Sequence, residues 1–195
     1  MNHFAHLVLA QPTAESTVGN LLGDFARGVA LHPLSPEIRD GLANHRLVDR
    51  LTDRDPRVAR MKASFSPQRR RFAGIALDIY FDHLLITHWH ELEAGSADDA
   101  IQSCYQRIDQ AQPLMPSARM QQVMASVVEH DWFGSYRDID SLAHALDRVA
   151  GRIRFANRFA GAIEDLLNAR QQILDGFMLF FPDLRREVEF AALES

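Results

Sequence analysis

The chain has 195 residues, 47% of them hydrophobic and 24% charged, proportions that exclude a disordered, collagen-like or low-complexity polypeptide. That length suits one well-cored domain, and residues 1–195 read as a single domain with no linker and no internal repeat. A formal net charge of −5 argues against a nucleic-acid partner, and the lack of an apolar run near the roughly 20 residues a bilayer span needs argues against a membrane one.

Apolar residues recur at spacings of three and four, which predicts an all-α chain. A short apolar segment carrying His3 and His6 comes first, followed by a helix from about Ala14 to Phe25 that Gly28 closes. Ser35-Pro36, Asp55-Pro56 and Ser66-Pro67 each place a capping oxygen before a proline at the first helical position, predicting helices over 37–51, 56–65 and 67–91. Ser96 with Asp98 and Asp99 opens the next helix, which Pro113 and Pro116 separate from another running to about Asp131. The lone cysteine, Cys104, falls in this region without a metal-finger spacing, so a reducing cytoplasm is the expected location. After a turn at Trp132–Ser135, helices over 138–155 and 158–191 complete the chain, the last expected to kink or break near Gly176 and Pro182. Trp89 and the run from Phe177 to Phe181 read as core first and as a homodimer surface second.

Acids and histidines inside apolar helical stretches need a chemical reason. Asp78 and Asp82, four residues apart, lie on one helical face among Leu, Ile, Tyr and Phe, where two ionised carboxylates repel each other and lose hydration. A divalent cation relieves both costs, and oxygen donors with imidazole suit magnesium, manganese or iron. His83 lies at the margin of that face. His45 and Asp49 share another face, either as two ligands of one ion or as an ordinary surface ion pair. Asp24, bracketed by small residues and followed by Arg27, is a further candidate. His6 can reach the same pocket, whereas His3 reads as a satisfied core histidine. From Arg46 to Arg71 nine basic residues face three acids, so one stretch of an acidic chain is basic. A solvated helix face explains that as simply as an anion-binding surface does.

The opening His3-Phe4-Ala5-His6-Leu7 and the runs GNLLGDFARG (residues 19–28), HRLVDRLTDRDP (45–56) and RRFAGIALDIYFDHLL (70–85) together resemble the acyl carrier protein phosphodiesterase family. The likeness is dense over roughly the first 90 residues; later helices match in length, character and the Tyr136-Arg137-Asp138 turn. It implies a single-domain, multi-helix bundle like the HD-type metal phosphohydrolases, cleaving the phosphodiester between 4'-phosphopantetheine and a serine of holo-acyl carrier protein. The implied cofactor is a divalent ion, manganese first, with magnesium or iron as alternatives. The adjacent His-Asp dyad of HD enzymes is absent from the motif region, where Asp82-His83 stands in reversed order; His130-Asp131 falls outside the motifs at a helix end.

On this reading Asp24, His45, Asp78, Asp82 and His6 are the metal ligands. Asp49 or Asp82 takes a proton from water, and His83 or His45 gives one to the leaving serine. Arg27 and Arg46 stabilise the non-bridging oxygens. Acyl carrier proteins are small and acidic, so Arg57, Arg60, Arg69 and Arg70 form the expected docking face. Two alternatives stay open: an HD-like phosphohydrolase acting on a nucleotide or other small phosphodiester, and a non-enzymatic helical interaction module.

Overall fold

The computed structural model describes residues 1–155 and 157–194, and among them every regular element is a helix. The N-terminal part contains α1 (His3–Val8), α2 (Ala14–Leu22), a 3-10 turn (Gly23–Phe25), α3 (Pro36–Arg54) and α4 (Pro56–Ala63). A second 3-10 turn (Arg70–Phe72) leads into α5 (Ala73–Thr87) and α6 (Trp89–Leu92). The remaining elements are α7 (Ala97–Ala111), a 3-10 turn (Gln112–Leu114), α8 (Ala118–Glu129), α9 (Trp132–Ser135), α10 (Ile139–Arg152), α11 (Ala162–Asn168) and α12 (Arg170–Ala191).

Helix starts follow their capping chemistry. Ser35 accepts from the Ile38 N–H, Asp55 from Arg57, Ser96 from Asp98 and Asp99, and Asp138 from Ser141. Ser66-Pro67 behaves differently from the expected helix start. The Ser66 hydroxyl donates to Asp165 across the domain, and the regular helix begins only at Ala73 after the 3-10 turn. Residues 158–191 divide into α11 and α12 at Ala169. Pro182 stays inside a continuous α12, where Arg57 donates to the Leu179 carbonyl and pairs with Asp183 beside the turn that lacks the proline N–H.

The centre of the core is α5, apolar around most of its circumference and in contact with α1, α4, α10, α11 and α12. Phe81 stacks on Phe177, which stacks on Phe181, and Phe180 closes the same cluster. Trp89, Phe177, Phe180 and Phe181 are buried in this core; only Leu179 of the Phe177–Phe181 run is well exposed. The closest helix pair is α2 with α3. A methyl group at Gly19 would come 2.3 Å from the Ile38 carbonyl oxygen, so this crossing demands glycine.

No helix is long and apolar enough to cross a membrane among the described residues.

Candidate metal centre

The site is assembled by α1, α3 and the Gly23–Phe25 turn, with α5 behind them. Helix α1 has only six residues, and Asn2 at its N-cap makes no side-chain bond to its own helix. Asp82 of α5 supplies the missing acceptor. One of its oxygens takes the Ala5 N–H at 2.9 Å, and the other takes the Phe4 N–H at 3.1 Å and Asn2 Nδ2 at 2.8 Å. A fully buried carboxylate thus meets the unpaired N–H groups at the positive end of a short helix, which fixes that helix against the core. Burial pushes the Asp82 pKa up to about 6 against the opposing effect of those donors.

Held in this way, α1 lays His6 beside His45 of α3. The two rings stack with centroids 3.9 Å apart and planes inclined by 14°. Both aim Nε2 at Asp49, His6 at 3.2 Å from Oδ1 and His45 at 3.1 Å from Oδ2. One donor atom from each of His6, His45 and Asp49 lies within 4.8 Å of the others. His45 is buried, and its Nδ1–H donates to the Asn20 carbonyl at 2.7 Å. That carbonyl sits in the last turn of α2, at the negative end of the helix, so it holds the ring by Nδ1 and leaves Nε2 aimed at Asp49. Gly23 makes room for the ring: a Cβ there would fall 2.0 Å from His45 Cδ2 and Nε2.

Two further acids border the cluster. Asp24 lies 3.1 Å from His3 Nδ1, and Asp78 lies 3.0 Å from the Met1 amino group, which also lies 3.2 Å from Asp49. Burial drives the His6 pKa down to about 4, so its ring is neutral at physiological pH. For His3 burial acts in the same direction, but Asp24 outweighs it and raises the pKa. Asp49 is held far below the usual carboxylate range: His45, His6 and the Met1 amino group overcome the opposing effect of burial.

A divalent cation fits this donor set. His6 Nδ1 and Nε2 and His3 Nδ1 are buried without a well-aligned hydrogen-bond partner, an arrangement that costs free energy unless something further engages them. Two imidazole nitrogens and a carboxylate make a mixed N/O set suited to manganese, iron, zinc or magnesium.

The structure gathers His6, His45, Asp49, Asp24 and Asp78 around one locus and engages Asp82 and His83 elsewhere. The two carboxylates of α5 do not meet over a shared charge: Asp82 is engaged by α1, and Asp78 by the Met1 amino group. His83 turns away, its Nδ1–H donating to the Tyr136 carbonyl at 2.7 Å. The residue lines a separate cleft with Tyr80, His88 and Arg170. Arg27 and Arg46 are exposed on the segments that carry Asp24 and Asp49, and neither forms an ion pair among the described residues.

Of the arginines expected to dock a partner, three are occupied within the molecule. Arg57 pairs with Asp55 and Asp183, Arg69 with Glu164, and Arg70 donates to the Phe65 carbonyl. Arg60 is exposed. His130 and Asp131 cap the end of α8 and the start of α9. His3, Asn20 and Gly23 were not singled out for roles by the sequence. The signal available was GNLLGDFARG itself, whose first residues lie under His45.

Known proteins resemble the chain along almost its whole length. A family model described as acyl carrier protein phosphodiesterase matches residues 1–184. A protein of that name from Serratia proteamaculans is 33% identical over 190 residues, covering 97% of this chain and 98% of its own length. Similar proteins of the same name occur in Yersinia enterocolitica, 35% identical over 97% of this chain and 98% of the relative, and in Escherichia coli, 32% identical over 99% and 100%. No solved structure matches the chain.

Proposed function

The chain belongs to the acyl carrier protein phosphodiesterase family, and on that premise we propose that it is a phosphoric diester hydrolase that releases 4'-phosphopantetheine from the serine of holo-acyl carrier protein. The observation that carries the metal-dependent form of this reading is the convergence of His6, His45 and Asp49, with both ring nitrogens of His6 lacking well-aligned partners. These three residues would hold the ion, manganese being the candidate. A divalent ion there lowers the pKa of a water and offsets negative charge on the phosphodiester.

The remaining roles fall to groups around the locus. Both oxygens of Asp49 already face imidazoles, which suits it to holding an ion more than to taking a proton. Asp78, beside it and 40% exposed, is the assigned acceptor for the proton of the attacking water. His3, oriented by Asp24, is the assigned donor to the departing serine oxygen. Arg27 and Arg46 are free to pair with the non-bridging oxygens as charge builds on them.

The test is incubation of the purified chain with holo-acyl carrier protein, with manganese and with chelator, reading the carrier's mass. Loss of the phosphopantetheine group only with metal is expected. An unchanged carrier beside rapid cleavage of small phosphodiesters would replace the proposed substrate, and activity untouched by chelator would remove the metal.

A further inference from the structure

Beyond the match to the family model, the chain returns to the site. Ala192 adopts the left-handed region at φ 43°, an unusual conformation for alanine, and turns the chain after α12 back toward α2. Glu194 then enters a polar network whose members are neutral. Its Oε1 accepts from Ser16 Oγ at 2.5 Å and Asn20 Nδ2 at 2.9 Å, and its Oε2 accepts from the Gln11 N–H at 3.3 Å. Drawing a carboxylate toward the interior without a cation costs free energy, and the donors supplied here offset it.

Asn20 is the hub of that network and is itself fully buried. Its amide donates to Glu194 and to the Ser16 carbonyl, and its Oδ1 accepts from Asn44 at 3.0 Å. Its own backbone carbonyl accepts the His45 Nδ1–H at 2.7 Å. The side chain that Glu194 grips and the carbonyl that orients His45 therefore belong to one residue. A cavity of about 310 Å³, bordered by Leu9, Gln11, Asn44 and Glu194, lies on the far side. A loosened Glu194 would admit water from it to Asn20.

We propose that Glu194 is a positioning residue for the imidazole of His45, acting through Asn20; the proposal rests on the reading of His45 as a metal-holding residue. A purely structural tether would affect melting and nothing at the imidazole, so the experiment reads the imidazole directly. In the metal-free full-length protein, long-range nitrogen–proton correlation spectra should show His45 as the Nδ1–H tautomer. Glu194→Ala should mix the tautomers and weaken manganese binding, measured by calorimetry, by about 3–10-fold, below the roughly 10–100-fold typical of a group bonded directly to a ligand. Glu194→Gln, which keeps an acceptor for Ser16 and Asn20, should restore both. In an Asn20→Ala background Glu194→Ala should add no further loss.

Should Glu194→Ala unfold, Glu194→Asp, which draws the carboxylate back by one methylene, is read in the same way. An unmixed His45 tautomer with unchanged manganese affinity would overturn the proposal, even if the melting temperature fell. Failure of the wild-type chain to bind manganese would instead remove the parent reading, while the tautomer would still report on the Glu194–Asn20–His45 connection.

Discussion

His6 is fully buried, and its ring finds no well-aligned partner in the protein, so its removal should damage function far more than folding. His6→Ala is expected to weaken manganese binding by at least about 100-fold, since loss of a ligand should exceed loss of its supporting bond, while stability changes by less than about 2 kcal/mol. Calorimetric metal titration beside denaturant unfolding checks both parts. Asp82 acts in the opposite sense, through folding. Its carboxyl holds a proton up to about pH 6 in the folded chain, against an ordinary value of 3.8. Between those values the folded state binds more protons than the unfolded state, so this group makes stability fall as pH rises from about 4 to about 6, with no further change above. Asp82→Asn should remove that slope; unfolding curves for the two proteins that stay parallel across the window would refute the assignment. In the sequence Asp82 was visible as a buried acid that needed compensation. What compensates it was not visible, because the N–H groups of Phe4 and Ala5 lie more than 70 residues away and backbone donors leave no mark in side-chain patterns.

The helices of the site were legible to different degrees. Helix α3 announces itself through Ser35-Pro36 and the i, i+4 placement of His45 and Asp49, and the structure puts both side chains on one face. At six residues α1 is too short to show a helical period and exists because α5 clamps its start, so a local reading sees only an apolar segment. The same limit applies to residues 158–191, where the break at Ala169 and the continuity through Pro182 depend on tertiary partners, Arg57 among them. At the end of α2, Gly23→Ala tests how closely two elements must approach. Its methyl group would fall 2.0 Å from the His45 ring. The displaced ring should lower kcat by about 10–100-fold, the scale of an ångström-sized misplacement, and the crowding should cost about 1–3 kcal/mol of stability. Steady-state kinetics and a thermal melt decide this.

Across the whole molecule, the basic stretch read from the sequence divides into internal cement and free charge. Charge counts along a chain do not reveal this division, because Asp183 and Glu164 reach back from the C-terminal helices to occupy Arg57 and Arg69. Arg57 is mostly shielded between Asp55, Asp183 and the face of Phe180. Arg57→Glu should therefore destabilise the fold by about 2–4 kcal/mol, because it leaves two acids unpaired beside a third. Arg60→Glu should leave the melting temperature unchanged and raise KM for holo-acyl carrier protein several-fold, with a weaker salt dependence and unaltered kcat. Melting curves and kinetics at two ionic strengths separate these outcomes.

The clamp that Asp82 places on α1 also bears on how the protein is made. His6, His45 and Asp49 are all synthesised within the first 49 residues, yet the helix bearing His6 lacks the carboxylate that caps its start until residue 82 has been added. A nascent chain paused before that point carries all three side chains while the start of its first helix is uncapped, so the proposed centre completes its geometry only once that helix has docked on a much later one.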